Sequence, residues 1–284
     1  MSALGDLLLG IYEKAIPLSY SWEEKFIIAR DAGYDFIELS VDGLSPRIER
    51  LDWNSRQIGQ VRRCIELFDM PVYTMALSAN RYFPLGDERE EIRSQGIKIV
   101  EKGVDLAVRL GIRAVQLAAY DVFDRPSAPK NDALFIESLK RVVEYAAARA
   151  VILCLEVMDV EYSDTPKKLM RFIDAVGSPY LQIYGDFGNL VAAGHTDTDE
   201  MLAGGKHILA VHIKDSVRGK CRDTPYGEGE VDFAAAFQTL RKMEYGGLLV
   251  AEMWSNEDPA FIPYLKAASD FIREKIKIAD QRST

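Results

Sequence analysis

The sequence has little cysteine, little histidine and no long apolar run. Its three cysteines, Cys64, Cys154 and Cys221, are odd in number and far apart. That excludes a disulfide framework and fits a reducing compartment. No stretch reaches the roughly eighteen consecutive apolar residues a membrane span needs. The opening MSALGDLLLG has no basic n-region and too short an apolar run for a secretory signal. Positive charge is also short: 35 Lys and Arg against 44 Asp and Glu leave a formal charge of −9. This balance disfavours nucleic acid as a partner, because a phosphate backbone requires a basic surface. The basic clusters that exist (Arg62-Arg63, Lys167-Lys168, Arg273 to Lys277) lie in helical patterns among acidic neighbours and read as solvated faces. A cytoplasmic protein that engages neither nucleic acid nor membrane is expected. Also missing are a glycine-rich dinucleotide fingerprint after the first apolar run, a linker and any low-complexity stretch.

What is present is a regular alternation. Apolar residues make up 48% and charged residues 28%, the composition of an ordinary globular chain with a large core. Short apolar runs occur at 7–13, 35–41, 71–79, 114–120, 151–158, 181–188, 208–215 and 247–254. They are nearly continuous in apolar residues, as strands buried on both faces should be. Amphipathic stretches separate them, such as 91–110, where Ile92, Ile99, Gly103, Ala107 and Leu110 recur at helical spacing. Gly33, Gly111 and Gly177 punctuate helix ends. Eight strand–helix units with a period of about 35 residues predict one single-domain (β/α)8 TIM barrel over residues 1–284. An open doubly wound sheet fits neither the count of eight nor the missing fingerprint. The longest irregular segment, 216–231, follows the seventh strand, where a barrel places a loop that covers substrate.

Barrel chemistry sits at the carboxyl ends of strands, so ionisable residues late in apolar runs are informative. The last four runs each carry one: Glu156 in CLEVM, Asp186 in IYGDFG, His212 in AVHIKD and Glu252 in VAEMW. A charged carboxylate there is costly without a cation or partner. Four such residues in consecutive strands point to the shell of one divalent metal ion, and mixed N/O donors accept Zn, Mn, Co or Mg. Strands five and eight stand about 135° apart around an eight-stranded barrel. Glu156 and Glu252 then approach a bound molecule from different sides, which suits proton removal on one face and delivery on the other. An epimerase acting beside a carbonyl has this requirement, with the metal polarising the carbonyl and stabilising the enediolate. Glu13, Lys14, Glu38, Ser40, Ser78, Asn80 and Arg81 close the first three strands, either lining the mouth or carrying solvated charge. His195 and His207 read as surface residues, Cys64 and Cys154 as core, and Cys221 as a loop thiol. In PYGEGEVDF (225–233), Asp232 is a helix N-cap, and the glycines leave room for backbone to approach a ligand.

These segments also resemble a known family. GIYEKA (10–15), DAGYDFIELSVD (31–42), RLDW (50–53), LSANRYFPLG (77–86), GIRAVQLAAYDV (111–122), LEVMD (155–159), GDFGNL (185–190), AVHIKD (210–215), PYGEGEVDF (225–233) and AEMW (251–254) together resemble the L-ribulose-5-phosphate (L-xylulose-5-phosphate) 3-epimerases. These belong to the xylose-isomerase-like and endonuclease-IV-like barrels, and the similarity runs over nearly the whole chain. It implies one divalent metal held by Glu156, Asp186, His212 and Glu252, with Glu156 and Glu252 doubling as the acid/base pair. It further implies conversion of L-xylulose 5-phosphate to L-ribulose 5-phosphate in L-ascorbate breakdown, and a possible homodimer. Asn80 stands where several relatives have His, and Gly185 where Pro often precedes the Asp. A substrate phosphate needs cations at the mouth, and Lys14, Arg81 and Lys214 are the candidates because each closes a strand. Two other activities fit such a barrel: an aldose–ketose isomerase of the hexulose-6-phosphate type, and a metal-dependent endonuclease. Three histidines and a charge of −9 argue against the endonuclease.

Overall fold

Eight parallel strands close on themselves in chain order, so that β1 pairs with both β2 and β8. The computed structural model describes residues 4–43 and 46–281. The strands are β1 (Leu9–Tyr12), β2 (Phe36–Ser40), β3 (Val72–Leu77), β4 (Ala114–Ala118), β5 (Ile152–Glu156), β6 (Leu181–Asp186), β7 (Ile208–Ile213) and β8 (Leu248–Ala251). The helices are α1 (Trp22–Asp31), α2 (Ser55–Phe68), α3 (Glu90–Leu110), α4 (Pro129–Ala147), α5 (Pro166–Val176), α6 (Phe187–Ala192), α7 (Phe233–Lys242) and α8 (Ile262–Gln281). This is a single-domain (β/α)8 TIM barrel. Each strand is shorter than its apolar run, because apolarity continues past the last ladder bond into loop residues such as Val157 and Met158, which are buried under the mouth.

Local chemistry starts and stops the helices. Ser21 and Asn54 form capping boxes with Glu24 and Gln57, and Thr165 and Asp232 accept from the backbone of Lys168 and Ala235. Gly111 and Gly177 end α3 and α5 in the left-handed conformation that glycine adopts without penalty. Along α3 the buried face includes Ile99, Gly103, Ala107 and Leu110, while Ile92, in the first turn, is only half-buried.

The strands' period of two divides the core. Leu9, Ile11, Ile37, Leu39 and their counterparts face the helices. Tyr12, Phe36, Ala76, Ala114, Cys154, Tyr184, Ala210 and Val250 form a second cluster inside the barrel. Gly10 makes that interior possible, since a Cβ there would lie 2.3 Å from the Phe36 ring. No described helix is long and apolar enough to cross a membrane.

Candidate active site

Two residues beyond the interior positions Cys154, Tyr184, Ala210 and Val250 come Glu156, Asp186, His212 and Glu252, one layer nearer the carboxyl ends. Strand periodicity therefore turns all four inward at one level. Their ligand atoms lie within 4.8 Å of one another, and all four residues are buried. His212 Nδ1 is 2.8 Å from Glu156 Oε1, 3.7 Å from Glu252 Oε2 and 3.8 Å from Asp186 Oδ2.

Each donor is held by a further contact. His212 Nε2 lies 2.7 Å from Glu38 Oε1, and Glu38 Oε2 accepts from Thr74 Oγ1 at 2.7 Å and Tyr184 Oη at 2.6 Å. With Nε2 committed to a carboxylate, Nδ1 is the nitrogen aimed at the quartet, an arrangement common behind metal-ligating histidines. Gln116 Nε2 donates to Glu156 Oε2, which leaves Oε1 facing His212. Asp186 caps α6 with Oδ1, accepting from Asn189 N at 2.8 Å, and points Oδ2 into the site. Lys214 Nζ lies 2.7 Å from Asp186 Oδ2 and 2.6 Å from Glu252 Oε2. Gly188 makes room for it: a Cβ there would be 2.4 Å from Lys214 Cγ.

Four buried carboxyls, those of Glu38, Glu156, Asp186 and Glu252, thus face one lysine and one histidine. Burial pushes the Asp186 carboxyl above its ordinary range, with Lys214 opposing. Burial also pushes Glu252 up, but Lys214 and His212 outweigh it and hold that carboxyl low. The excess of acid, the convergent oxygens and the imidazole nitrogen suit a divalent metal ion, and the cluster can hold one. The donor types do not select among Zn, Mn, Co and Mg.

Two cavities open above the quartet. One of about 120 Å³ is lined by Tyr12, Lys14, Arg81, Gln116, His212 and Arg222, among others. Another of about 300 Å³ is lined by Arg81, Tyr120, Asn189, Lys214, Cys221 and Arg222. Glu156, Glu252 and Trp254 border both. A larger groove of about 490 Å³ runs between the loops after β7 and β8, past Lys214 and Glu252.

The remaining sequence candidates separate clearly. Lys14 is ion-paired with Asp42 at the edge of the smaller cavity, Arg81 borders both cavities, and Lys214 lies among the quartet's carboxylates. Glu13 is neither at the mouth nor solvated. It is 1% exposed and bound by Lys25 and Arg50. Glu38 is likewise no solvated charge but the partner of His212, while Ser40 Oγ lies 3.2 Å from Tyr12 Oη. Asn80 is buried and ties the turn after β3 to β4, donating to Ala118 O at 3.1 Å. Gly185 packs outward, where a Cβ would sit 2.9 Å from Met201 Sδ. The glycines of 225–233 give their N–H groups inward to protein: Gly227 and Gly229 donate to Asp215 Oδ2 at 2.8 and 3.0 Å. His195 lies 3.2 Å from Asp164, and His207 bonds Gln182, both outside the quartet. Burial pushes the Cys221 thiol up to about 11, so it stays protonated and is a poor nucleophile. Sequence reasoning missed Gln116 and Arg222. Gln116 had a visible signal, a polar residue inside the AVQLA strand, whereas Arg222 is one of many loop cations.

A barrel with a buried three-carboxylate, one-histidine cluster at the carboxyl ends of its last four strands defines a class of enzyme, and comparison with known proteins agrees. The family described as xylose isomerase-like TIM barrel matches residues 26–275. L-ribulose-5-phosphate 3-epimerase UlaE of Escherichia coli (strain ATCC 8739) is 40% identical over 254 residues, 89% of each chain. Among solved structures, an L-ribulose 3-epimerase aligns with a TM-score of 0.82 at 22% identity, over 98% of this chain and 97% of that one. A D-allulose 3-epimerase from Methylomonas sp. aligns with a TM-score of 0.80 at 20% identity, over 97% of this chain and 100% of that one. At such identities the two structures speak to the fold. The chain belongs to the xylose isomerase-like TIM barrel family and, within it, to the L-ribulose-5-phosphate 3-epimerase group. It is an enzyme of the isomerase class.

Proposed function

We propose that this enzyme inverts C3 of a ketopentose 5-phosphate, interconverting L-xylulose 5-phosphate and L-ribulose 5-phosphate. Glu156, Asp186, His212 and Glu252 hold one divalent metal ion in this reading, and Glu156 and Glu252 are also the acid/base pair. The observation that carries it is the placement of the two glutamates. They come from β5 and from just past β8, lie 2.8 and 3.7 Å from His212 Nδ1, and both border the two cavities above the quartet. Kinship with the 40% identical epimerase supplies the substrate class.

When bound, the ion supplies Lewis acidity that makes a proton beside a carbonyl easier to remove. The side chains supply the rest. One glutamate takes the C3 proton from one face, and the other returns a proton to the opposite face. Gln116 fixes the rotation of Glu156 through Oε2, and Lys214 fixes Glu252 through its own Oε2. Glu38, 2.7 Å from Nε2, is placed to accept a proton from that nitrogen and so to hold the orientation of the imidazole during turnover.

Turnover of L-xylulose 5-phosphate in deuterated water, followed by NMR, tests this. Deuterium at C3 with inverted configuration and none at C1 is expected. Deuterium at C1 with C3 retained makes the enzyme an aldose–ketose isomerase instead.

A further inference from the structure

We infer that Gln116 recognises a hydroxyl group of the sugar next to the reacting carbon, an inference that rests on the C3-epimerase reading above. Gln116 stands in the middle of β4 between Ala114 and Ala118, and Ala114 belongs to the interior cluster. Alternation along a strand therefore turns Gln116 into the barrel. It pairs in register with Ala76 and Cys154. The small Ala76 side chain lines the same cavity of about 120 Å³, which leaves room beside the amide.

A polar side chain in that position must account for both ends of its amide. One end is committed, because Nε2 donates to Glu156 Oε2. The other, Oε1, is buried with no hydrogen-bond partner, on a residue only 2% exposed. Turning the amide over does not help. It would set Oε1 against the Glu156 carboxylate, two acceptors with no proton between them. Among the described residues, Oε1 is the one unmatched buried side-chain atom on a barrel strand. Its residue lines the cavity together with Glu156, His212 and Glu252.

A buried acceptor left unmatched is costly, and the group that matches it must bring a proton. The carbonyl and the phosphate dianion of a ketopentose 5-phosphate bring none. Its hydroxyls do. Glu156 serves C3 in the proposed reaction, and Oε1 shares a carbon with the nitrogen that holds Glu156. The C3 hydroxyl changes sides on inversion and cannot meet one fixed acceptor in both epimers. The hydroxyls nearest to it that keep their place are those on C1 and C4, since C2 bears the carbonyl. One planar amide then holds both partners, so a hydroxyl seated on Oε1 also aligns the C3–H bond with Glu156. Gln116 thereby favours polyhydroxy ketoses over deoxy sugars of the same length.

The test measures kcat/KM and, by calorimetry, Kd for L-xylulose 5-phosphate and for its 1-deoxy and 4-deoxy analogues. Wild type and Gln116→Met are loaded with the same divalent metal. Wild type should favour the parent sugar over one of the two analogues by about tenfold or more, and that analogue identifies the hydroxyl. Gln116→Met removes both ends of the amide. The lost hold on Glu156 slows all three sugars alike and cancels in the ratio of parent to analogue. The ratio therefore isolates Oε1 and should fall to within about twofold of unity. Gln116→Asn, with its amide one methylene shorter, gives the same readout if the methionine variant does not fold. If an ordered water matches Oε1 in place of substrate, wild type accepts both analogues as well as the parent, and the inference is overturned. A wild-type ratio that persists in the variants overturns it too. A wild type that binds these sugars without inversion at C3 defeats the reaction assignment, and the Kd ratios then decide on Gln116 by the same criterion. A wild type that binds none of the three overturns both.

Discussion

Two ionic clusters are buried in this barrel within a few strands of each other, and they are built on opposite principles. Behind β1, the Glu13 carboxylate accepts from Lys25 Nζ at 2.5 Å, from both terminal nitrogens of Arg50 and from Ser40 N at 3.2 Å. Trp22 covers both cations, and Trp53 also covers that of Arg50. There, cations outnumber the carboxylate and every oxygen is matched by protein. At the mouth, four carboxyls converge on one lysine and one histidine. Burial alone does not separate the two clusters, because the carboxyls of both are buried. The sign of the charge left over does: a matched cluster holds loops together, and one with surplus acid is prepared for a cation from outside.

The comparison breaks most sharply under chelation. Exhaustive removal of divalent metal should abolish turnover, and adding a divalent metal should restore it. Thermal unfolding should follow the same split. A metal at a hundred times its Kd should stabilise wild type by about 2.7 kcal/mol. Glu13→Gln should keep this metal-dependent gain, and Asp186→Ala should lose it. Full activity in a demonstrably metal-free preparation would remove the basis for calling the mouth cluster a metal site.

Glu13→Gln should itself lower unfolding stability by roughly 3–5 kcal/mol, because it strands two buried cations. Burial pushes the Glu13 carboxyl up, but Arg50 and Lys25 outweigh it and hold it well below the ordinary range. A carboxyl whose folded pKa is depressed adds stability above its unfolded pKa of about 4.3, and that stability disappears as pH falls through the folded value. The gap between wild type and Glu13→Gln in denaturant unfolding should therefore be full near neutrality and narrow below about pH 4.3. A gap that stays constant to low pH would contradict the ionic account.

At the mouth, Glu156→Gln and Glu252→Gln should each reduce turnover at least about a hundredfold, or about 2.7 kcal/mol, with metal content measured in each variant. A variant that keeps both metal and wild-type turnover would remove that glutamate from the proton-transfer pair. The smallest effect is expected one contact further out. Glu38→Gln should weaken metal affinity by about 10- to 100-fold, read by competition with a chelating indicator, since it leaves the quartet intact but loosens His212. An unchanged affinity would reduce Glu38 to a packing role.

The barrel was legible because its signals are local. Eight apolar runs appear in the right places, Gly111 and Gly177 stop α3 and α5, and Asp232 starts α7 as its residue type suggests. The quartet was legible for a related reason. A carboxylate or histidine two residues beyond an interior apolar position stands out against the run that contains it, and periodicity alone turns it inward. Residue type and period are written in a few consecutive positions, so the fold and the convergent quartet could be read without knowing any distance.

Which charge meets which is a different kind of information. Glu38 and His212 are 174 residues apart, and only closure of the barrel makes them neighbours at 2.7 Å. The same closure sends Glu13 outward to Lys25 and Arg50, draws Lys214 down between Asp186 and Glu252, and leaves Arg81 and Arg222 together at the rim. As isolated letters, Lys14, Lys214, Arg81 and Arg222 are equivalent cations that close strands or occupy loops. Coulomb interaction depends on separation and burial, and neither is a property of neighbouring residues in the chain. The sequence by itself therefore determined the barrel and the four inward-facing residues that converge at its mouth. Tertiary structure alone decided which charges are matched within the protein and which are left in surplus at the mouth.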